Sequence, residues 1–81
     1  MKLVELTEFL VKSVVSDPDM VSVKQFEDDE DYIIIQVLVD DSVIGSVIGK
    51  KGIIANAIRT IVQASAYANG LKKVKVNIDS F

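Results

Sequence analysis

Gly49 and Gly52 enclose Lys50 and Lys51, with Val47 and Ile48 before them and the pattern Ile53-Ile54-Ala55-Asn56-Ala57-Ile58-Arg59 after. The apolar residues on both sides have helical spacing, and the glycines break the helix between them, so this part of the chain must fold as helix, loop, helix. Glycine has no Cβ, so the loop backbone can come close to another surface. Backbone N–H groups at a helix start are unsatisfied and partly positive, and they attract phosphate. Lys50 and Lys51 add two full charges at the same spot. The stretch has the physical character of a loop that lies along a nucleic-acid backbone.

Around this loop the chain divides into short elements. Leu3, Leu6, Leu10 and Val14 recur at spacings of three and four, which predicts a helix over 3–15 with Phe9 in its core. Glu5 and Glu8 near its start suit the helix dipole. Asp17-Pro18-Asp19 stops it. Met20 to Glu27 reads as a strand, with Val21 and Val23 alternating against Ser22 and Lys24, and Phe26 out of step. Five consecutive acids, Glu27 to Asp31, predict a solvated turn. They lack the spaced acids and central glycine of a calcium loop, so no metal site is expected there. Tyr32 to Val39 is rich in β-branched residues and predicts a central strand with at least one covered face. Asp40, Asp41 and Ser42 are candidate caps for a short helix carrying Val43, Ile44, Val47 and Ile48. A second helix runs from Ile53 to Asn69 and ends at Gly70. Leu71 to Ile78 reads as a last strand, alternating Val74, Val76 and Ile78 against polar residues.

At 81 residues the chain is read as one small domain with a modest core. It has no cysteine and no histidine, which removes disulfides, thiol chemistry and histidine bases. Asp40 and Asp41 are adjacent carboxylates before a helix, a pattern of caps more than of acid–base pairs, so the chain is not read as an enzyme. Neither a metal nor a cofactor is expected. Gly45-Ser46-Val47-Ile48-Gly49-Lys50-Lys51 shares elements with a phosphate-binding P-loop but has three residues between its glycines instead of four. It also has Lys51 where Ser or Thr would hold magnesium. The first residues do not form a signal peptide and no run is long enough to span a membrane, which fits a cytoplasmic protein.

The net charge is −3, but it is unevenly placed. Residues 1–41 carry three lysines against eleven acids, whereas residues 42–81 carry six cations against Asp79 alone. A basic second half with two of its cations in the glycine loop points to one positive face.

Ile48-Gly49-Lys50-Lys51-Gly52, followed at helical spacing by Ala55 and Ile58, resembles the core signature of the KH domain. The order α-β-β-α-α-β, with the loop between adjacent helices, resembles its type II form. The resemblance covers the entire chain, 1–81, with the GXXG loop at 49–52. It implies an α+β fold in which a three-stranded sheet is covered by three helices. The GXXG loop of such domains clamps four nucleotides of a single strand. At this size the chain resembles the small bacterial single-KH RNA-binding proteins of the KhpA type. That resemblance implies a cytoplasmic binder of single-stranded RNA, acting as an RNA chaperone or post-transcriptional regulator. It also implies self-association, or pairing with a larger KH-containing partner of the Jag type. The RNA-binding residues would be Gly49, Lys50, Lys51, Gly52 and Arg59. A groove floored by Val43, Ile44, Val47, Ile48 and Ile54 would take the bases, with strand Tyr32–Val39 on its other side. The aromatic residues are scattered and none lies in the glycine stretch, so aromatic stacking platforms are not expected.

Residues 53–69 carry more apolar side chains than one helix face can bury. Ile53, Ala57, Ile61, Ala64 and Ala68 form one stripe, and Ile54, Ile58 and Val62 form another. The excess predicts a twofold contact centred on Ile61, with Ala64 and Ala68 allowing close approach. A protein-interaction module whose main role is dimerisation or scaffolding is the alternative reading. It would leave Lys50 and Lys51 without a specific role.

Overall fold

β-Branched side chains crowd a helix but suit a pleated strand, and the segment richest in them takes the centre of the sheet. The computed structural model describes residues 2–27, 32–71 and 73–81. Its elements are α1 (Leu3–Lys12), a 3₁₀ turn (Pro18–Met20), β1 (Val21–Glu27), β2 (Tyr32–Val39), α2 (Ile44–Ile48), a second 3₁₀ turn (Lys50–Gly52), α3 (Ile53–Ala68) and β3 (Lys73–Ser80). The fold is α+β in the order α-β-β-α-α-β, as the sequence predicts.

The sheet order is β1-β2-β3. β1 runs antiparallel to β2, from Val21 opposite Val39 to Glu27 opposite Ile33. β3 runs parallel to β2, from Lys73 beside Tyr32 to Ser80 beside Val39. A parallel pair needs a crossover, and here α2, the glycine loop and α3 supply it. Strand alternation then sorts β2: Ile33, Ile35, Val37 and Val39 are buried, while Tyr32, Ile34, Gln36 and Leu38 are partly exposed on the other face. Leu3 and Val11 of α1, Val47 of α2, and Ile58, Val62 and Ala66 of α3 join those strand residues in one core. All three helices therefore cover the same face of the sheet. Thr7 is fully buried among them, and its hydroxyl donates to the Leu3 carbonyl at 2.8 Å.

Several expectations are corrected. α1 ends at Lys12, not at residue 15, because Ser13 caps it: its N–H donates to the Phe9 carbonyl and its hydroxyl to that of Leu10. Val14 still packs on the core from beyond the helix end. Phe9 is 64% exposed and is not core. The face of α1 turned to the sheet carries Leu3, Thr7 and Val11, and Phe9 projects from the opposite side. None of Asp40, Asp41 and Ser42 caps α2, whose N-cap is Val43 with no side-chain bond. Asp40 instead holds the turn before it, accepting from the Ser42 N–H at 2.9 Å and from the Ser42 hydroxyl at 2.7 Å. These two bonds keep the Asp40 carboxyl below its ordinary pKa, the backbone bond contributing most. β3 starts at Lys73 and runs to Ser80, so it begins later and extends further than expected. The reason is a Schellman end to α3: Gly70 at φ 67° donates to Tyr67, and Leu71 donates to Ala66. The acidic turn lies outside the described residues from position 28 to 31.

Candidate nucleic-acid interface

The loop is built by two glycines that are needed for different reasons. Gly49 ends α2 at φ 74° and ψ 178°, a region open essentially to glycine, while its N–H still bonds the Gly45 carbonyl at 2.9 Å. A Cβ on Gly49 would stand 2.7 Å from Cγ1 of Ile54. Gly52 at φ 76° and ψ 15° is left-handed, and a Cβ there would meet only Asn56 Nδ2, at 3.7 Å. Gly49 is thus fixed by packing as well as by dihedral, and Gly52 by dihedral alone. Between them Lys51 also has positive φ, 56°, which costs an L-residue about 1–2 kcal/mol. The turn lifts both lysine side chains into solvent, and among the described residues neither has an ion-pair partner. The start of α3 has no side-chain cap, and its Gly52 and Ile53 N–H groups donate to the Gly49 and Lys50 carbonyls within the loop.

The remaining expected site residues separate into distinct environments. Val43 and Ile44 are partly buried against the core, and Ile48 is 38% exposed beside the loop. Val47 is fully buried, so it supports the groove from below and cannot line it. Ile54 packs under Gly49 and braces the loop. Arg59 is half-buried; its Nε donates to the Val76 carbonyl at 3.0 Å and its guanidinium to Asn56 Oδ1 at 3.2 Å. Ile54 and Arg59 are five positions apart in sequence, which puts them about 140° apart around α3. They therefore belong to different flanks of the helix.

The strand beside the Arg59 flank is β3. β2 was expected to border the groove, but it is paired on both edges and its inward side chains are fully covered. β3 is the edge strand, and α3 reaches its carbonyls twice, through Arg59 to Val76 and through Gln63 to Val74 at 3.3 Å. Asn56, Arg59, Gln63 and Tyr67 follow one another at spacings of three and four and make a polar flank from the loop to the far end of α3. Of these residues, sequence reading assigned a site role to Arg59 alone. Their helical spacing was the signal that could have joined them.

The apolar stripe of α3 lies on yet another side. Ile53, Ala57, Ile61, Ala64 and Ala68 are all exposed, and Ile61 keeps 46% of its surface in solvent. Among the described residues no group of three or more acidic, histidine or cysteine side chains could hold a metal, and no helix is long and apolar enough to cross a membrane.

Comparison with known proteins agrees with this architecture. Residues 4–78 match the family model for the KhpA/KhpB KH domain. The chain is 45% identical over 74 residues to RNA-binding protein KhpA of Clostridium perfringens, covering 91% of this chain and 96% of that protein. It is 39% identical over 75 residues to RNA-binding protein KhpA of Borreliella burgdorferi, covering 93% and 89%. Among solved structures, Aquifex aeolicus Era bound to GDP and AlF4− superposes with a TM-score of 0.70 at 18% identity, over 98% of this chain and 30% of that one. Era in complex with MgGDPNP and nucleotides 1506–1542 of 16S ribosomal RNA gives 0.67 at 19% identity, over 96% and 29%. At such identities the likeness is one of fold, and it is the family match from residue 4 to residue 78, with relatives of about 40% identity along most of their length, that places this chain in the KhpA/KhpB family of KH-domain proteins.

Proposed function

We propose that residues 1–81 form a single KH unit that binds single-stranded RNA through the loop Gly49-Lys50-Lys51-Gly52. The observation that carries the reading is the loop itself: a backbone turned by two glycines, with two solvent-facing lysines and a helix start without a side-chain cap beside it. Phosphates would lie along this backbone, neutralised by Lys50 and Lys51, and bases would turn toward Val43, Ile44, Ile48 and the polar flank that carries Arg59. Val47 and Ile54 would hold that surface from beneath. The names of the relatives, which are RNA-binding proteins, support the same reading. The mechanism is positional and uses no catalytic residue, metal or cofactor.

A domain touching about four nucleotides binds in the micromolar range at best, near −8 kcal/mol. Pairing two domains would raise the effective concentration of the second site. The exposed stripe of α3 supports a homodimer centred on Ile61, with Ala64 and Ala68 at close approach, or an equivalent contact with a larger Jag-type KH protein. In the cytoplasm such an assembly would act as an RNA chaperone or post-transcriptional regulator.

The test is RNA affinity of the double variant Lys50→Asp, Lys51→Asp. It should remain folded, because both side chains are exposed, and should lose at least about tenfold in affinity. Wild-type affinity should fall with salt at a log–log slope of about −1 to −2, as two or three phosphates on a single strand require. A folded double variant with unchanged affinity removes the loop from the mechanism.

A further inference from the structure

At the far end of α3 from the glycine loop, the helix and the start of β3 enclose an open cavity of about 430 Å³. It is lined by Tyr32, Gln63, Ala66, Tyr67, Leu71, Lys73, Val74 and Lys75. Its chemistry differs from that of the glycine loop. Two tyrosines and two lysines line it, and among the described residues no acidic side chain does. The Lys75 ammonium sits 4.3 Å from the centroid of the Tyr32 ring. Strand alternation puts these two and Lys73 on the sheet face away from α3, so the cavity opens around the β3 edge and this charge is held at its rim. Tyr67 is 89% exposed, so a ring face is bare at the rim. The Schellman turn at Gly70 sets Leu71 against the same wall.

The position matters as much as the lining. Asn56, Arg59, Gln63 and Tyr67 run down one flank of α3, so a strand leaving the glycine loop along the β3 edge arrives at this cavity after about 16 Å. The apolar stripe is elsewhere: Ile61 lies about 120° around the helix from Tyr67, so pairing through Ile61 does not require the cavity. A volume of this size suits a single planar group. Aromatic faces next to fixed cations are what an unpaired nucleobase and its phosphate recognise.

We propose that this cavity takes one nucleobase of the bound RNA strand, stacked on Tyr67, with its phosphate against Lys73 and Lys75. The inference rests on the RNA-binding reading and extends it: the footprint would exceed the stretch clamped at the glycine loop, and this end would stack a base where the loop does not.

The experiment measures binding of randomised RNA octanucleotides by fluorescence anisotropy. Three pools are compared: one with all bases present, and two of equal length with the last three positions abasic at either the 5′ or the 3′ end. Wild-type protein should bind one of the abasic pools at least about fivefold more weakly than the complete pool, and that end reveals the strand polarity. Tyr67→Ala should abolish this preference, and Tyr67→Phe should keep it. Lys73→Ala with Lys75→Ala should weaken binding of all three pools. Circular dichroism of each variant should be unchanged, since Tyr67, Lys73 and Lys75 are exposed. Wild-type protein that binds all pools equally, or a Tyr67→Ala variant that keeps the preference, overturns the cavity proposal and leaves the loop reading standing. Wild-type protein that binds no pool overturns both.

Discussion

Gly49 and Gly52 look alike in the sequence, but their surroundings make different demands on a substituent. Gly49→Ala places a methyl 2.7 Å from Ile54 and in a backbone region essentially reserved for glycine. It should lower unfolding free energy by about 2–4 kcal/mol, measured by urea denaturation. Gly52→Ala meets no close atom and should cost about 1–2 kcal/mol, through its dihedral alone. The larger Gly52→Val should reduce RNA affinity beyond its effect on stability; normal binding would show that close backbone approach is not needed at that point. Asp40 offers a separate check by pH. Its folded-state carboxyl titrates below the ordinary value of 3.8, so the turn it holds is fully supported above that value. That support is lost as pH falls through the lower, folded-state value. The Ser42 amide resonance should therefore follow a titration midpoint below 3.8, and an Asp40→Asn variant should remove the transition.

At the level of the element, α3 serves three sides at once. Ala55, Ile58, Val62 and Ala66 face the sheet, Asn56, Arg59, Gln63 and Tyr67 flank the edge of β3, and Ile53, Ala57, Ile61, Ala64 and Ala68 face solvent. The alanines of the last set are good helix formers anywhere, but Ile53 and Ile61 are bulky apolar side chains that packing on this sheet leaves exposed. The expected outcome is a wild-type dimer in sedimentation at micromolar concentration. Ile61→Asp should yield a monomer with native circular dichroism, because Ile61 is 46% exposed and not part of the core. A wild-type monomer under those conditions would count against the twofold contact.

Across the whole molecule, the core is one layer of side chains between the sheet and three helices. Ile35 lies at its centre and is fully buried. Ile35→Ala should cost about 2–5 kcal/mol and lower Tm by at least about 10 °C in a domain of this size. The same scan on Phe9→Ala should move Tm little, since that ring is mostly in water. The charge layout follows the fold as well. The described cations of the second half lie in the loop, on the α3 flank and along β3, whereas α1 and the turns after it hold Glu5, Glu8, Asp17 and Asp19.

What the sequence determined by itself was local. The β-branched run Tyr32–Val39 became a strand with the bounds predicted, and Gly49 and Gly70 ended helices because their positive φ cannot continue one. Asp17-Pro18-Asp19, expected to stop α1, instead starts a 3₁₀ turn beyond the helix end at Lys12. The glycine loop was legible for the same reason: its backbone is dictated by its own residues. Burial was not legible, because it depends on which elements face each other. Phe9 and Val11 are both apolar and two positions apart, yet only Val11 meets the sheet. Val47 and Ile48 are adjacent and similar, yet α2 turns the first into the core and leaves the second at the surface. The sequence could not tell that the parallel pairing of β3 with β2 brings the β3 edge beside α3. That tertiary choice ties down Arg59 and brings Tyr32, Tyr67, Lys73 and Lys75, distant along the chain, to one cavity.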